Sequence, residues 1–539
     1  MNSFSSVRST LYLPAVTVIA IGLLIRLYAC WATYIIPPDG ALYLYQAKMI
    51  VTGQWGKLTG CGLTYISSLP FFIAFFYTLL RDWVVAAQSV SLLFGTATLV
   101  FAYFILREFC GRKISSLATL ILSLTPVMVS RSADVVRGPV FWFFLSLGIY
   151  LFIRGIKREK AASWLICSQM AFLMGTWARV EGILAIPVSL AYLIIFMKVH
   201  HIRQLFYFCL PLLVLAAALF AVHFSTGKQV GSLCRANEVV VKITKPFKKY
   251  HILRNQIRVA AEADMPSPMR WFMPEARSTI WLVAFGVLLN RICEGFFYPF
   301  LLIYLAGLKG IRKRLIGDKR LFYFLFMCTS IFALLYIHTL DTWTLHYRMV
   351  IFLILPSILF AAFGIENISE YLRKRTKLTR NRILVGLAVL LLVAGIPKNV
   401  KLRDPEKMVF REIGNKIAQF EKNPEGRTVI SPVALHRWIS FYANMDVDAP
   451  PCPEPDKSII FPNSDDELAS ALRQWKKRNV GYYLWQERNW SGDKRFLEDE
   501  TVKADLVLIG SWSHPDTGRL MLFKIKVDPS NPRPKHKKE

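Results

Sequence analysis

The chain is short of acidic residues, and three common signatures are missing from it altogether. Only 36 Asp and Glu stand against 66 Lys and Arg, for a formal net charge of +30. None of the nine cysteines forms a Cys-x-x-Cys pair, which excludes the usual zinc and dithiol motifs. Most of them lie inside apolar runs, where a cysteine packs as a small hydrophobe. Cys61, Cys234 and Cys452 fall in segments outside those runs, and nothing in their spacing pairs any two of them. No glycine-rich phosphate loop is present, so a nucleotide cradle of that type is excluded. Nor is there an internal repeat, whereas secondary transporters are commonly built from repeated halves.

Apolar sequence is what the chain has in abundance. Of its 539 residues 54% are hydrophobic and 14% aromatic, and the mean hydropathy is +0.38. Long uncharged runs recur from Leu11 to Val400, the signature of a polytopic membrane protein. Arg8 followed by an apolar stretch to about Tyr34, with no small-residue cleavage site after it, reads as a retained first span. A net charge of this size also suits nucleic-acid binding. The basic residues, however, cluster in short segments between apolar runs, as they do on the cytoplasmic side of a membrane. No nucleic-acid partner is expected.

About eleven spans are expected. Those up to the sixth boundary are Leu11–Tyr34, Trp83–Leu106, Ile114–Val129, Pro139–Ile153, Ala162–Ala178 and Ile183–Met197. The remainder are Leu205–Phe224, Ile292–Leu308, Leu321–His338, Met349–Ile365 and Ile383–Ile396. Every second loop is strongly basic, as with Arg107, Arg112 and Lys113, or Arg373, Lys374, Arg375 and Lys377. These loops are read as cytoplasmic, which puts the N-terminus inside and the C-terminal region outside. The apolar stretch Ser67–Leu80 is too short to span and is expected to be re-entrant or interfacial. A long outer segment, Ser225 to about Arg291, carries Lys228, Arg235, Lys242, Lys245, Lys248 and Lys249. A basic loop on the outer side needs an explanation, and an anionic ligand is one.

From Lys401 the composition is that of a soluble α/β domain. Thr428–Ser431 and Val480–Trp485 read as strands, and Asp466–Arg478 as a helix. Asp505–Gly510 and Leu520–Val527 read as a strand pair joined by the turn His514–Gly518. The expected organisation is residues 1–400 as the membrane part, 401–530 as the soluble domain, and 531–539 as a disordered basic tail.

Charged residues in or beside spans are costly and therefore informative. Asp39 follows the first span in Pro37-Pro38-Asp39-Gly40. It is either a helix cap or a base, and one carboxylate can do both. Arg26, in the outer half of the first span, either snorkels to the interface or meets an anionic headgroup. Asp134 and Arg137 share the second outer loop, Arg179 and Glu181 lie between two spans, and His346, Tyr347 and Arg348 open the tenth. Each has an ordinary account as a cap, an ion pair or an interfacial anchor. Together they place carboxylates and cations on one outer face. A carboxylate there can take the proton of an acceptor hydroxyl, and cations can stabilise charge growing on a departing phosphate.

In this arrangement the chain resembles the GT-C superfamily of glycosyltransferases, in the branch of the protein O-mannosyltransferases and lipid A aminoarabinose transferases. The resemblance rests on Arg26, Asp39, Tyr43, Ala47 and Gly53 in order, then Pro70, Asp134, and Tyr347, Arg348 and Pro356. It covers roughly Leu11–Ile396. Two departures stand out. Gly40 occupies the place of the second acid in the usual Asp-Glu pair, and Ser67-Ser68-Leu69 replaces another acidic position. With fewer acidic ligands, a divalent metal is not required by the sequence.

The fold expected is an all-α polytopic membrane bundle with re-entrant or interfacial helices and a small extracytoplasmic α/β domain. The function expected is transfer of a sugar from a polyprenyl-phosphate donor to a lipid, glycan or protein acceptor at the outer face, in a bacterial plasma membrane. Asp39, with Asp134, is the catalytic candidate. Arg26, Arg137, Arg179, Lys228, Arg235 and Arg348 are candidates for the donor phosphate, and Tyr43, Glu181, His346 and Tyr347 for substrate. The C-terminal domain is expected to support acceptor handling and to supply none of the reacting charges. A transporter or flippase of lipid-linked glycans is the alternative.

Overall fold

The structure, a computed structural model, describes residues 3–157, 162–196, 201–226, 247–262, 266–456, 458–492 and 504–526. Lys228, Arg235 and the 531–539 tail lie outside the described residues. The membrane part opens with α1 (Ser3–Trp31), α2 (Pro38–Val51), α3 (Ser68–Leu80) and α4 (Trp83–Arg107). Next come α5 (Arg112–Leu124), α6 (Pro126–Ala133), α7 (Gly138–Lys157), α8 (Ala162–Ala178), α9 (Ala185–Phe196) and α10 (His201–Thr226). It continues with α11 (Lys248–Glu262), α12 (Ser267–Phe296), α13 (Tyr298–Leu308), α14 (Ile311–Gly317), α15 (Leu321–Thr342), α16 (Tyr347–Arg375) and α17 (Arg380–Asn399).

Eight of the described helices are long and apolar enough to cross a membrane, nine if the bent pair α5 and α6 is one span. The chain is thus an integral multi-pass membrane protein. Three expected spans fall short of that test: α8 with 17 residues, α9 with 12, and Ile292–Leu308, which breaks at Phe297 and leaves α13 with 11. The sequence reading is corrected between α11 and α13. There α12, 30 residues long, occupies most of what was expected to be loop and is itself apolar enough to span. Arg270, Pro274, Glu275 and Arg277 dilute its N-terminal half and conceal it in the sequence. By contrast α3 has the expected extent, and its 13 residues rise about 20 Å, short of a bilayer core of about 30 Å.

Two local breaks carry charge to the end of the bundle that meets the C-terminal domain. Pro126 cannot continue the hydrogen bonding of α5, and Thr125 before it is extended, so α6 leaves α5 at 58°. That bend brings Arg131 and Ser132 beside α1. Pro37 and Pro38 start α2 with the preset backbone of a first turn. Asp39 sits within that first turn, where a carboxylate favours the positive end of the helix dipole, and it forms no capping hydrogen bond. The cap reading is therefore not what the structure shows.

The C-terminal domain has helices α18 (Met408–Phe420), α19 (Val433–Ala443) and α20 (Asp465–Lys477). Its strands are β1 (Val429–Ile430), β2 (Tyr482–Gln486), β3 (Leu506–His514) and β4 (Gly518–Ile525), in the order β1-β2-β4-β3. β1 runs parallel to β2, and the other pairs are antiparallel. The domain is clamped to the membrane part. Trp438 Nε1 donates to the Ile36 carbonyl at 2.6 Å, and Arg403 reaches Ser130 and Asp134. The ammonium of Lys48 donates to the carbonyls of Met445 and Val447 at 2.7 Å each, just beyond the C-terminus of α19. Cations at that end also complement the helix dipole. Burial lowers the Lys48 pKa to about 8, against the pull of Asp448 and Asp446, so the group stays charged at neutral pH. Cys61 and Cys452, 391 residues apart in sequence, form a disulfide across the same junction.

His436, buried in α19 beside Ser431, gives this domain a pH signature. Burial pulls its pKa down from 6.5 to about 4, with Glu454 opposing. The unfolded chain therefore binds a proton that the folded chain refuses between those values. Stability from this group is complete above pH 6.5 and falls by about 3 kcal/mol as the pH drops toward 4. Thermal unfolding of the full chain in detergent should decline over that interval. His436→Asn should decline less steeply.

Candidate active site

Residues at the ends of α2, α6, α7, α8 and α16 nearest the C-terminal domain enclose a small polar cavity of about 70 Å³. Asp39 and Tyr43, one turn apart on α2, form one wall. Arg131, Arg137, Arg179 and Arg348 form the others, with Trp142. Asp39 is the only acid among the residues lining this cavity. Arg348 Nη1 lies 3.9 Å from Asp39 Oδ2, an ion pair too long for a hydrogen bond. Arg137 lies over the rings of Tyr43 and Tyr65, 5.5 and 4.9 Å from their centroids. That stacking holds the guanidinium at the cavity edge.

Trp142, Arg179 and Arg348 also line a second, larger cavity of about 300 Å³, so the two adjoin. Phe141, Leu334, Leu335, Met349 and Phe352 make its wall apolar, while Lys248, Lys249 and His338 add basic groups. Arg179 pairs with Glu181 at 3.2 Å within the lining. A largely apolar slot whose lining carries Arg179, Arg348, Lys248 and Lys249, with Glu181 and Asp341 as its acids, suits an amphiphile with an anionic head.

His346 and Tyr347 start α16 at the rim. Tyr347 takes a hydrogen bond from Arg131 at 3.3 Å and lies under its guanidinium. The imidazole of His346 is held below its ordinary pKa by partial burial and by the charges of Arg348, Arg131 and Arg291, opposed by Asp39. It therefore stays neutral at neutral pH.

Two of the expected site residues sit elsewhere. Arg26 is fully buried between α1 and the α5–α6 bend, donating to Ser132 Oγ, the Gly22 carbonyl and the Ser123 carbonyl. It lines none of the described cavities, so the expectation that it touches a donor phosphate is corrected to a link between helices. Asp134 is 5% exposed and paired with both Arg131 at 2.8 Å and Arg403 at 3.3 Å. It borders a third cavity, of about 500 Å³, under the C-terminal domain, and not the one that holds Asp39.

Gly40 explains the missing second acid. A Cβ there would lie 3.0 Å from Cβ of Val135 and 3.2 Å from its carbonyl oxygen, so the loop before α7 would have to shift. Among the described residues no group of three or more His, Cys, Asp or Glu side chains is placed to hold a metal ion.

Three residues of importance were not legible in the sequence. Arg131 lies three residues before Asp134, and that spacing is the signal that would have found it. Arg437 and Glu454 come from the C-terminal domain, where no motif surrounds them. Arg437 Nη1 donates to Asp39 Oδ1 at 2.9 Å, so the domain does bring a charge to the site, contrary to expectation.

The architecture, a helical membrane bundle with polar cavities at one end and an appended small sheet domain, is the GT-C glycosyltransferase fold. Residues 68–225 match the profile of the dolichyl-phosphate-mannose-protein mannosyltransferase family. The chain is similar to the oligosaccharyltransferase of Archaeoglobus fulgidus tethered to an acceptor peptide. That likeness has a TM-score of 0.58 at 12% identity and covers 88% of this chain and 69% of the other. A second structure from that organism, AglB with an inhibitory peptide and a dolichol-phosphate, has a TM-score of 0.55 at 12% identity, covering 94% and 74%. ArnT of Cupriavidus metallidurans bound to undecaprenyl phosphate is similar over 94% of this chain and 97% of its own, with a TM-score of 0.58 at 11% identity. No curated protein matches by sequence.

Proposed function

We propose that the protein transfers a sugar from a polyprenyl-phosphate donor to an acceptor hydroxyl or phosphate, with Asp39 as the general base. The observation that carries this reading is the junction of the two cavities: Asp39 lies in one, and Arg179 and Arg348 line both it and the adjoining, largely apolar slot. The prenyl chain lies against Phe141, Leu334, Leu335 and Phe352. Its phosphate meets Arg348 and Arg179, with Lys248 and Lys249 nearby. The anomeric carbon then points to Asp39, which takes the acceptor proton as the acceptor oxygen attacks. Arginines stabilise the negative charge that grows on the leaving phosphate. Family relatives supply analogy only: ArnT is bound to undecaprenyl phosphate and AglB to a dolichol-phosphate.

The reaction face is proposed to lie outside the cytoplasm. The alternation of basic loops favours it. The Cys61–Cys452 disulfide at the same face favours it too, because disulfides persist in oxidising compartments. A reporter fused after Lys401 should be active only outside. Activity inside would reverse the assignment.

Supply distinguishes the donor class, since nucleotide sugars are made in the cytoplasm and a lipid carrier can enter the slot from the bilayer. In liposomes, a polyprenyl-phosphate sugar should support transfer and a nucleotide sugar alone should not. Arg348→Ala should weaken donor use about tenfold to a hundredfold, the worth of one charged contact to phosphate. Transfer from a nucleotide sugar without any lipid carrier would sink the proposal.

A further inference from the structure

Asp39 is held by the C-terminal domain as well as by the membrane part. Its Oδ1 accepts from Arg437 on α19, while Oδ2 faces Arg348 beyond hydrogen-bond range. We propose that Arg437 is a positioning residue that fixes which oxygen of Asp39 receives the acceptor proton; this rests on Asp39 being the base. The guanidinium hydrogen bond makes Oδ1 the less basic oxygen, so the proton goes to Oδ2, which accepts none among the described residues. The acceptor oxygen bonds to the anomeric carbon as the bond from that carbon to the phosphate oxygen breaks, and its electron pair leaves with the phosphate.

Arg437 is itself pinned from the other edge. Its Nε donates to Glu454 Oε2 at 2.6 Å and its Nη2 to Oε1 at 3.3 Å, a forked pair that fixes the guanidinium plane. Glu454 has a fixed seat of its own. Its backbone N–H points at Cys452 Sγ at 3.4 Å, and Cys452 is bonded to Cys61. Gly62, beside Cys61, has φ +63°, and a Cβ on it would lie 2.9 Å from Glu454 Oε2. Glycine adopts that backbone at least cost and lets the Glu454 carboxylate come that close. One chain of contacts therefore runs from the disulfide through Glu454 and Arg437 to Asp39.

A docking role alone does not account for Arg437. Trp438, Lys48, Arg403 and the disulfide already join the domain to the membrane part. Arg437 instead spends both edges of its guanidinium on two carboxylates, one of which is the base.

The test uses the full chain, with Arg437→Met, Arg437→Lys, Glu454→Gln, Asp39→Asn and the Arg437→Met/Asp39→Asn pair. Transfer from a polyprenyl-phosphate sugar gives kcat and KM. A non-reducing gel reports the Cys61–Cys452 bond and hence docking. Arg437→Met should lower kcat about tenfold to a hundredfold with donor KM within about threefold and the disulfide intact. Lysine should recover part of the loss. Glu454→Gln, which keeps the Asp39 contact and loosens the other edge, should fall between. The double variant should be no slower than Asp39→Asn, because both changes act through one carboxylate. An unchanged kcat, a loss confined to KM, or losses that multiply in the double variant would overturn the proposal. Failure of the underlying reading looks different, since the wild type would then transfer from no polyprenyl-phosphate sugar or Asp39→Asn would turn over normally; either takes the proposal down with it.

Discussion

Positive charge crowds one end of this bundle, and Asp39 is the one carboxylate lining the small cavity there. Four arginines line its cavity, and a fifth arrives from the C-terminal domain. Like charges at such spacing repel, and in a partly dry site they do so strongly. Each guanidinium is therefore committed to something: Arg131 to Asp134 and Tyr347, Arg137 to two tyrosine rings, Arg179 to Glu181, Arg437 to Glu454 and Asp39. Arg348 is the least committed, with only the 3.9 Å approach to Asp39 among the described residues, and it lines both cavities. A site organised in this way is prepared for one more anion.

The surrounding fold can be read as what that arrangement needs. The 58° bend at Pro126 carries Arg131 to the rim. Gly40 lets Val135 pack against α2, which brings Arg137 and Asp39 to one cavity at the expense of a second acid. The C-terminal domain closes the assembly at that end. It shares one apolar cluster with the membrane part, since Phe410, Ile413 and Tyr442 pack with Ile36 and Leu44 in the same contiguous core.

Much of this was legible in the sequence, for physical reasons that also mark the limits. Asp39 alone reads equally as a helix cap, and it stands out only in company with the other charges expected on the same face. Arg348 stands out because a cation at the start of a long apolar helix is costly. Arg26 was misread because burial among carbonyls and a serine cannot be told from snorkelling by sequence. The length of α12 was hidden by charges in its first half. Contacts between Cys61 and Cys452, or between Arg437 and Asp39, span almost 400 residues. No local pattern encodes such a pairing, so only the folded chain reveals that the tail reaches the site.

The most direct measurement of the central claim is single-turnover transfer by Asp39→Asn, with donor affinity determined on the same preparation. Asparagine keeps the shape and can still accept from Arg437, but it is a far weaker base. The account predicts that donor affinity is kept while the transfer step slows by about a hundredfold to ten-thousandfold. Transfer at the wild-type rate by a variant that binds donor normally would contradict it.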